Sequence, residues 1–598
     1  MNIEDLAREW AALPQLAQIH ASGDGRLAFF CMSGPHDVDE VYAVSTDGGS
    51  PLVQETWGMD HHQIRDVSFD GSLLVLAQSH NASEHDHLMI LDRRVGNKLR
   101  LLTPKQDSHY VYGGRLTRDA AAVIFVADYD YEAEAVIEGA MVWWQDIHSG
   151  ERRLLARTRA MFDRAPSLSP SGARVLLQVC ERAPGGTQLW VVGVDGHRLR
   201  EVVNFGLRNN TRGDWLDEDH IAFVSDRGGR DVLGVVNIET GVVQFLGGEP
   251  LVCPHEVVCG GGRFVCVTHR EGQTVPLVSD GATVWEMPNR SGRRSLLPHV
   301  GLQDGGWLAE AYDGDGPHDL VRVLPSGDCV TLTSGVRSGR VHVSGRDFRW
   351  VSGDGRAVQG WLYQPDGPSR GLICYVHGGP TWHSEDWVNP KIGFWVQAGY
   401  TVLDPNYRGS TGFGHDWREA VKEDGWGGRE QADIRAGIEA CVAAGLAVRG
   451  RIAVAGNSYG GFSSWHAITR FADLVDAAIP MCGMYRLDID YDQTGMPHGR
   501  NYSREMMGGT PDEVPGKYAA ASPGNYISAI RGAVMIVHGM ADSNVGPENS
   551  LVAVRELTAA GIPHQAVFYD DEGHGVFRRG NVADYLVRTV AFLEGAFA

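Results

Sequence analysis

The hydrophobic positions in the first half of the chain repeat with a long, regular period. A turn sequence followed by an alternating apolar run occurs seven times, and successive starts lie roughly 44–52 residues apart, the period of propeller blades. Asp-Gly and Ser-Gly pairs supply the positive-φ positions of hairpin turns, and alternating apolar residues are typical of strands. The seven runs are 23–30, 69–77, 117–127, 169–179, 216–225, 260–269 and 304–313.

Most of these periods contain a second turn, so each is expected to hold two hairpins and therefore four strands. The second turns lie at 42–53, 144–155, 191–202 and 235–246. Seven units of four strands predict an all-β, seven-bladed propeller over residues 20–344. A pair of β-sandwiches is the alternative, but it would not explain the regular period.

The pattern changes near residue 345, where apolar strands begin to alternate with amphipathic helices. Strands are predicted at 371–379, 401–407, 451–457, 477–482, 533–539 and 564–570, and helices at about 429–446, 460–472, 548–560 and 581–594. This alternation predicts a mainly parallel sheet covered on both faces, over residues 345–598. Residues 1–19 precede the first blade, and their helix, from Ile3 to about Ala12, is expected to pack against the second domain.

Charge and composition argue against several classes of molecule as binding partners of this chain. The chain has 53 basic and 75 acidic residues and a formal charge of −22, which disfavours nucleic acid and anionic membranes as partners. No apolar stretch reaches the ~18 residues of a membrane-spanning helix, and the first residues lack the pattern of a secretory signal. The nine cysteines are scattered, which is typical of reduced thiols and favours a cytoplasmic location.

One motif in the second half carries chemistry. Residues 456–460 read G-x-S-x-G and lie between a predicted strand and a predicted helix. A sharp strand-to-helix turn exposes the serine hydroxyl at the carboxyl edge of the sheet, and Gly456 and Gly460 leave room where a Cβ would collide. Ser458 is therefore the predicted nucleophile. A serine that only caps the helix is the alternative.

A serine nucleophile needs a base and a third group that orients the base. In α/β-hydrolases these groups follow in the order Ser, Asp, His. Asp542 comes just past an apolar strand, and His574 lies in the loop after the last strand, so both are expected at strand ends that converge on Ser458. A turn aspartate and a surface histidine are the alternative interpretations.

Hydrogen-bond donors for a developing oxyanion are predicted in two places. The sequence HGGP at 377–380 follows an early strand of the same domain, and Tyr459 follows the nucleophile. The backbone N–H groups of Gly379 and Tyr459 are the predicted donors. His377 is expected to brace the loop rather than to transfer protons.

The order of these motifs resembles that of the prolyl oligopeptidase family of serine peptidases, in particular its acylaminoacyl-peptidase and bacterial aminopeptidase branch. The resemblance covers almost the whole chain and includes NYRGSTGFG at 406–414. It implies Ser458 as nucleophile, His574 as general base and then general acid, and Asp542 as the orienting group. It also implies that the propeller covers an α/β-hydrolase active site and admits only short peptides.

Two segments match the family pattern only in part. Similar enzymes often carry Asp-x-Arg-Val after the catalytic aspartate, whereas this chain has Asn544 in place of the arginine, and a neutral amide cannot replace a guanidinium clamp. Residues 131–134, YEAE, look like the acidic motif with which dipeptidyl-peptidases of this family hold the substrate N-terminus, with Ala133 in place of one glutamate. Glu132 and Glu134 are therefore candidates for binding an ammonium group, and a solvated loop is the alternative.

Candidate walls of the S1 pocket follow the strand that ends near Cys482. They are Met481, Met484 and Tyr485, and each could equally be an ordinary core residue. A histidine-rich loop at 80–87 has the spacing of no standard zinc site, and no phosphate-binding glycine motif lies between a strand and a helix. No metal and no cofactor are therefore expected.

These observations predict a serine peptidase that hydrolyses short peptides from the N-terminal end, of aminopeptidase or acylaminoacyl-peptidase type, through an acyl-enzyme on Ser458. The alternative is an amidase or esterase that removes an aminoacyl or acyl group from a small metabolite, which Asn544 motivates. A non-catalytic propeller scaffold is a third hypothesis, and the intact Ser, Asp and His set argues against it. The sequence leaves the oligomeric state open and allows a homo-oligomer.

Overall fold

The structure is a computed structural model that describes residues 2–159, 165–182, 186–247, 257–333, 343–496 and 499–598. It contains an N-terminal helix, seven four-stranded sheets and one eight-stranded sheet. The predicted fold class, a seven-bladed propeller followed by an α/β-hydrolase domain, is confirmed.

Helix α1 spans Ile3–Ala11 and precedes the propeller. Blade 1 comprises β1 (Gln15–Ala21), β2 (Leu27–Ser33), β3 (Glu40–Ser45) and β4 (Val53–Gln54), and blade 2 comprises β5 (Gln63–Val67), β6 (Leu73–Gln78), β7 (His87–Asp92) and β8 (Lys98–Leu101). Blade 3 comprises β9 (Val111–Leu116), β10 (Ala122–Asp130), β11 (Ala135–Asp146) and β12 (Arg152–Thr158), and blade 4 comprises β13 (Ser167–Leu168), β14 (Arg174–Val179), β15 (Gln188–Gly193) and β16 (Arg200–Val203). Short 3₁₀ helices at His80–Ala82 and Arg93–Val95 flank β7.

The last three blades follow in the same order. Blade 5 comprises β17 (Thr211–Trp215), β18 (His220–Ser225), β19 (Val232–Asn237) and β20 (Val243–Phe245), and blade 6 comprises β21 (Val258–Gly260), β22 (Arg263–Arg270), β23 (Gln273–Ser279) and β24 (Val284–Glu286). Blade 7 comprises β25 (Ser295–Gly301), β26 (Trp307–Asp313), β27 (Gly316–Val323) and β28 (Cys329–Thr331). The predicted first turn of each period joins the first two strands of a blade, and the predicted second turns join the last two strands.

The blades are held together by apolar side chains that alternate along each strand. In β6, Leu74 and Leu76 face the core shared with blade 1, whereas Val75 and Ala77 face the core shared with blade 3. This period of two lets one strand contribute to two cores. The ring closes where blades 1 and 7 share a core.

The second domain is built on an eight-stranded sheet with the order β29-β30-β32-β31-β33-β34-β35-β36. Its strands are β29 (Arg346–Val351), β30 (Ala357–Tyr363), β31 (Leu372–Val376), β32 (Thr401–Asn406), β33 (Ile452–Asn457), β34 (Ala477–Met481), β35 (Ala533–Gly539) and β36 (His564–Tyr569). Pairing is parallel from β32 to β36, while β29 and β30 pair antiparallel at one edge. The sequence analysis did not predict these two edge strands.

Helices cover both faces of this sheet. They are α2 (Pro390–Gln397), α3 (His415–Glu419), α4 (Val421–Asp424), α5 (Arg429–Ala443), α6 (Tyr459–Arg470), α7 (Leu487–Gln493), α8 (Gly499–Met507), α9 (Pro515–Ala521), α10 (Glu548–Ala559) and α11 (Arg579–Ala596), with a 3₁₀ helix at Pro523–Ala529. The four predicted helices correspond to α5, α6, α10 and α11. Two hydrophobic cores lie on opposite faces of the sheet.

Two predicted domain boundaries, at residues 19/20 and 344/345, can be compared with the described elements. Strand β1 begins at Gln15, within the segment 1–19, and residues 334–342, next to the boundary at 344/345, lie outside the described residues. In α1, Trp10 donates from Nε1 to Gln397 Oε1 at 2.9 Å. Its ring packs so closely on Gly393 that a Cβ there would lie 1.9 Å from it, so this helix packs on α2 of the second domain.

Two further features concern membranes and thiols. Within the described residues, no helix combines the length and apolar character needed to cross a bilayer. Eight of the nine cysteines are described, and all eight are free thiols.

Within the second domain, a buried ion pair anchors the NYRGSTGFG segment (406–414) to α5. Arg408 and Asp433 have side chains 1% and 0% exposed, and both guanidinium–carboxylate contacts measure 2.7 Å. Arg408 also donates to Asp354 Oδ2 at 2.8 Å. A bidentate pair of this kind satisfies most of the polar atoms of two groups that are costly to bury alone.

Replacing Arg408 with Met is expected to destabilise the second domain by about 3–5 kcal/mol, because Asp433 would remain buried without its cation. Calorimetric unfolding of purified protein measures the change. Arg429→Met is the matched control, because Arg429 pairs with Asp424 and Glu423 at the surface and should matter by about 0–1 kcal/mol. Equal effects of the two substitutions would contradict the assignment.

Candidate active site

The predicted nucleophile lies at the sharp turn between β33 and α6. Ser458 has φ 59° and ψ −119°, a backbone conformation that non-glycine residues rarely adopt. Its N–H donates to Met481 O at 2.9 Å, and its carbonyl accepts from Phe462 N at 2.9 Å. The turn is therefore held from both sides, which is how strained backbone persists at functional sites.

The glycines of G-x-S-x-G are required by close backbone approach. A Cβ on Gly460 would lie 1.9 Å from Val376 O, and one on Gly456 would lie 2.4 Å from the same atom. Gly461 faces Met481 O, which a Cβ would approach to 2.4 Å. The start of α6 therefore lies directly against β31 and β34, and any side chain would push it away.

The structure brings Asp542 and His574 together. Asp542 Oδ2 lies 2.8 Å from His574 Nδ1, while Oδ1 accepts from the N–H groups of Asn544 and Val545, both at 2.9 Å. The Asp542 side chain is fully buried, and that of His574 is 13% exposed. With Nδ1 bonded to the carboxylate, the Nε2 atom of His574 is the ring nitrogen left for proton transfer.

The surroundings favour an ionised Asp542 and make His574 easier to protonate. Burial alone would raise the pKa of Asp542, but His574 and His538 together hold it well below its usual range. Burial alone would lower the pKa of His574, but the charge and hydrogen bond of Asp542, with Glu84 and Asp490, raise it above its usual value. Asp542 is thus an anion beside the imidazole, and its role in orienting the base stays a prediction.

A second histidine supports the aspartate and was not singled out from the sequence. His538 is fully buried at the end of β35, and its Nε2 lies 3.2 Å from Asp542 Oδ2 and 2.9 Å from Val545 O. Its Nδ1 lies 2.7 Å from Ser550 Oγ. These contacts make His538 a positioning residue for the carboxylate. Its place at a strand end, four residues before Asp542, is the sequence signal for it.

Two loops lie close to Ser458. Asn457, the residue before the nucleophile, donates from Nδ2 to His574 O at 3.4 Å. On the other side, a Cβ on Gly378 would lie 3.4 Å from Ser458 Cβ. The nucleophile therefore lies between the histidine loop and the HGGP loop.

The predicted oxyanion donors lie on two elements that meet at Ser458. Tyr459 is the first residue of α6, so its N–H has no acceptor within the helix. Gly379 follows Gly378 in the HGGP loop and has φ 115°, which glycine adopts readily. Their roles stay a prediction.

His377 contacts its own loop rather than the nucleophile. Its Nε2 lies 2.9 Å from Ser410 Oγ, its carbonyl accepts from Tyr407 OH at 2.8 Å, and the Tyr407 ring stacks on it. Burial lowers the pKa of His377 to about 3, so it is neutral at physiological pH. These contacts suit a bracing role for His377.

The two predicted amine-binding glutamates lie at the tip of a hairpin in blade 3. Residues 131–134 connect β10 to β11, and Glu132 and Glu134 are both exposed. Tyr131, beside them, is instead packed against Trp143 and Arg152. Binding of an ammonium group by these two carboxylates stays a prediction.

The three candidate walls of the S1 pocket are buried. Met481 packs in the core on one face of the sheet, and Met484 and Tyr485 pack in the core on the other. The Tyr485 hydroxyl donates to Glu556 Oε2 at 2.7 Å, so it is directed at α10. Their role as pocket walls stays a prediction.

Two acidic residues beside the dyad were missed as site residues. Glu84 comes from blade 2 and Asp490 from α7, and both influence the pKa of His574. Glu84 Oε2 and Asp490 Oδ1 are buried and accept no hydrogen bond from the described residues. Burial, with smaller contributions from neighbouring acids, raises the pKa of each carboxyl group to about 7.

The blade 2 loop that carries Glu84 is pressed onto the second domain. Ser543 Oγ donates to Ser83 O at 2.6 Å, and a Cβ on Gly573 would lie 1.9 Å from Ala82 O. Asn81, Ala82 and Glu84 all have positive φ. Such a run of left-handed residues is costly and persists only where surrounding contacts impose it. The sequence shows this loop only as a histidine-rich segment of blade 2.

Comparison with known proteins relates the chain to peptidases. Residues 387–598 match the model of the prolyl oligopeptidase family. Dipeptidyl peptidase family member 6 of Caenorhabditis elegans is 30% identical over 228 residues, which cover 37% of this chain and 30% of that protein. Acylamino-acid-releasing enzyme 1 of Oryza sativa subsp. japonica is 25% identical over 221 residues, 35% of this chain and 28% of that protein. The matches thus span about a third of these curated relatives.

Solved structures share the fold over the full length. A puromycin hydrolase has a TM-score of 0.86 at 20% identity and covers 99% of this chain and 96% of that one. The Pyrococcus horikoshii acylaminoacyl peptidase has a TM-score of 0.75 at 17% identity and covers 98% and 96% of the two chains.

The activity of the wild-type protein is expected to fall as the pH drops through the pKa of His574, which Asp542 holds above the usual ~6.5, because protonated His574 cannot accept a proton. Asp542→Asn removes the charge that raises this pKa, so the acid limb should move to lower pH. The rate at the plateau should fall by about 10⁴. The measurement is kcat/KM for a chromogenic amide between pH 4.5 and 9. An acid limb that stays in place in Asp542→Asn would contradict the assignment.

Proposed function

We propose that this chain, whose residues 387–598 belong to the prolyl oligopeptidase family, is a serine peptidase that cleaves short peptides from their N-terminal end. The observation that carries the proposal is the 2.8 Å contact between buried Asp542 and His574, beside a serine held in a strained strand-to-helix turn. A serine that only capped α6 would need neither this backbone conformation nor a histidine loop at its side.

The reaction is acyl transfer. Ser458 Oγ attacks the scissile carbonyl while His574 Nε2 accepts its proton, and Asp542 stabilises the resulting imidazolium. The N–H groups of Gly379 and Tyr459 donate to the oxyanion, each at about 3–4 kcal/mol of transition-state stabilisation. His574 then protonates the leaving amine as the C–N bond breaks. Water, deprotonated by His574, hydrolyses the ester on Ser458 and restores the enzyme.

A free α-amino group is the substrate feature that the surroundings favour. An ammonium ion beside Glu84 and Asp490 would supply donors to carboxylate oxygens that are buried and unpaired. Burial has raised the pKa of each carboxyl group to about 7, and an adjacent ammonium ion would favour the ionised carboxylates. A blocked, neutral N-terminus would leave these oxygens without a charged partner. We therefore favour the aminopeptidase type over the acylaminoacyl-peptidase type.

An amidase that removes an aminoacyl group from a small metabolite is the second candidate. It uses the same ammonium site and differs in the leaving group. Asn544 favours it, because the arginine that holds peptide carbonyls in similar enzymes is replaced by an amide. Puromycin, an aminoacyl amide, is a suitable probe for it.

Ser458→Ala is expected to lower kcat by about 10⁴–10⁶ on every substrate while the protein stays folded. Hydrolysis of free aminoacyl and dipeptidyl p-nitroanilides and of puromycin measures the loss, and circular dichroism checks the fold. Labelling of the wild type, but not of the variant, with a fluorophosphonate is the accompanying result. Turnover that survives in Ser458→Ala would contradict the assignment of the nucleophile.

Glu84→Gln is expected to lower kcat/KM for free aminoacyl p-nitroanilides by about 10–100-fold, because a charge-assisted hydrogen bond is lost. The N-acetylated forms of the same substrates should be unaffected at a pH well above the pKa of His574, where the loss of the Glu84 charge no longer changes the protonation of the base. Glu132→Gln is the matched control, because its carboxylate is exposed at the hairpin tip. A loss in Glu132→Gln but not in Glu84→Gln would place the amine at the hairpin. A wild-type preference for acetylated substrates would mean an acylaminoacyl-peptidase.

A further inference from the structure

A second polar cluster lies between the propeller and the hydrolase domain. His269 comes from β22 in blade 6, and His383 and Glu385 come from the loop between β31 and α2. All three side chains are nearly buried, at 5%, 7% and 11% exposure. Neither the catalytic assignment nor any sequence motif uses them.

The three side chains direct their ligating atoms at a common point. His269 Nδ1 lies 3.2 Å from His383 Nε2, and His383 Nε2 lies 2.9 Å from Glu385 Oε1. His269 Nδ1 and Glu385 Oε1 are 3.6 Å apart. Ligands at the usual zinc–nitrogen and zinc–oxygen distances in a tetrahedron are about 3.3–3.5 Å from one another. The three separations in the cluster, 2.9, 3.2 and 3.6 Å, scatter around this spacing, so small side-chain shifts would bring all three atoms to one ion.

The outward-facing polar atoms of His383 and Glu385 are held by outer contacts. His383 Nδ1 lies 2.7 Å from Thr411 Oγ1. Glu385 Oε2 accepts from Tyr312 OH at 2.8 Å and from Thr274 Oγ1 at 2.7 Å. Such partners fix the ring orientation of a metal-bound histidine and the direction of a carboxylate. Two of the three proposed ligands thus have the outer partners that are typical of a metal centre.

Two of the inward-facing atoms share one nitrogen of His383. Neutral His383 has at most one proton on Nε2, and both Glu385 Oε1 and His269 Nδ1 lie within hydrogen-bond distance of that atom. A divalent cation would accept the lone pairs of all three atoms at once.

We propose that His269, His383 and Glu385 bind one divalent transition-metal ion of the zinc class. Two imidazoles and a carboxylate, without a thiolate, suit this ion, and a water supplies the fourth ligand. The ion joins blade 6 to the loop that begins with HGGP. Its role is structural, and it does not depend on the proposed peptidase function.

The test is metal binding by the purified full-length chain, produced with a tag that contains no histidine. After treatment with a chelator, the protein should bind one Zn²⁺ per chain in competition with a chromophoric chelator. The midpoint of thermal unfolding should rise with the Zn²⁺ concentration. Substitution with Co²⁺ should give the visible absorption of a tetrahedral site. A folded wild type that binds neither ion at a one-to-one ratio would overturn the proposal.

Variants decide whether the ion is at this place. His269→Gln, His383→Gln and Glu385→Gln should each weaken Zn²⁺ binding by at least ~100-fold, and Tyr312→Phe, which removes an outer contact, by about 10-fold. His318→Gln is the matched control, because His318 stacks on the same Tyr312 but does not face the cluster. Unchanged affinity in the three ligand variants would place the ion elsewhere. If these variants fail to fold, the Tyr312→Phe affinity and the wild-type Co²⁺ spectrum decide.

Discussion

The hydrolase domain depends on one close approach, that of the start of α6 to β31. The carbonyl of Val376 lies where any side chain at position 456 or 460 would have to be. The approach places the first N–H of the helix and the HGGP loop on either side of Ser458, because Gly378 belongs to the segment that follows β31. The strained φ of Ser458 is a consequence of this packing, which holds the turn in place.

The propeller reaches the candidate active site through one loop. Residues 81–84 of blade 2 press against the loops that carry Asp542 and His574, with Ser543 bonded to Ser83 O. Glu84 thereby brings a carboxylate close enough to raise the pKa of His574. A charge placed by one domain thus tunes a base placed by the other, so the relative position of the domains should affect the rate.

Local patterns predicted most of the fold and singled out the three candidate catalytic residues. Turn pairs and alternating strands are encoded within about ten residues, as are the strand-to-helix glycines, and both are therefore visible in the sequence. Glu84 and Asp490 could not be predicted in this way, because what distinguishes them is burial without a partner, created when two domains meet. The YEAE motif, visible in the sequence, lies instead on an exposed hairpin tip.

The same reasoning applies to the cluster of His269, His383 and Glu385, which lies at a second contact between the domains. Neither His269 nor Glu385 forms a motif with its sequence neighbours, and 114 residues separate the two histidines. Their atoms meet only because β22 of blade 6 packs against the loop that leaves β31. That loop also begins with Gly378 and Gly379, next to Ser458. A constraint on His383 therefore acts on the same loop that carries Gly379, the predicted oxyanion donor, so this domain contact is connected through one short segment to the candidate active site.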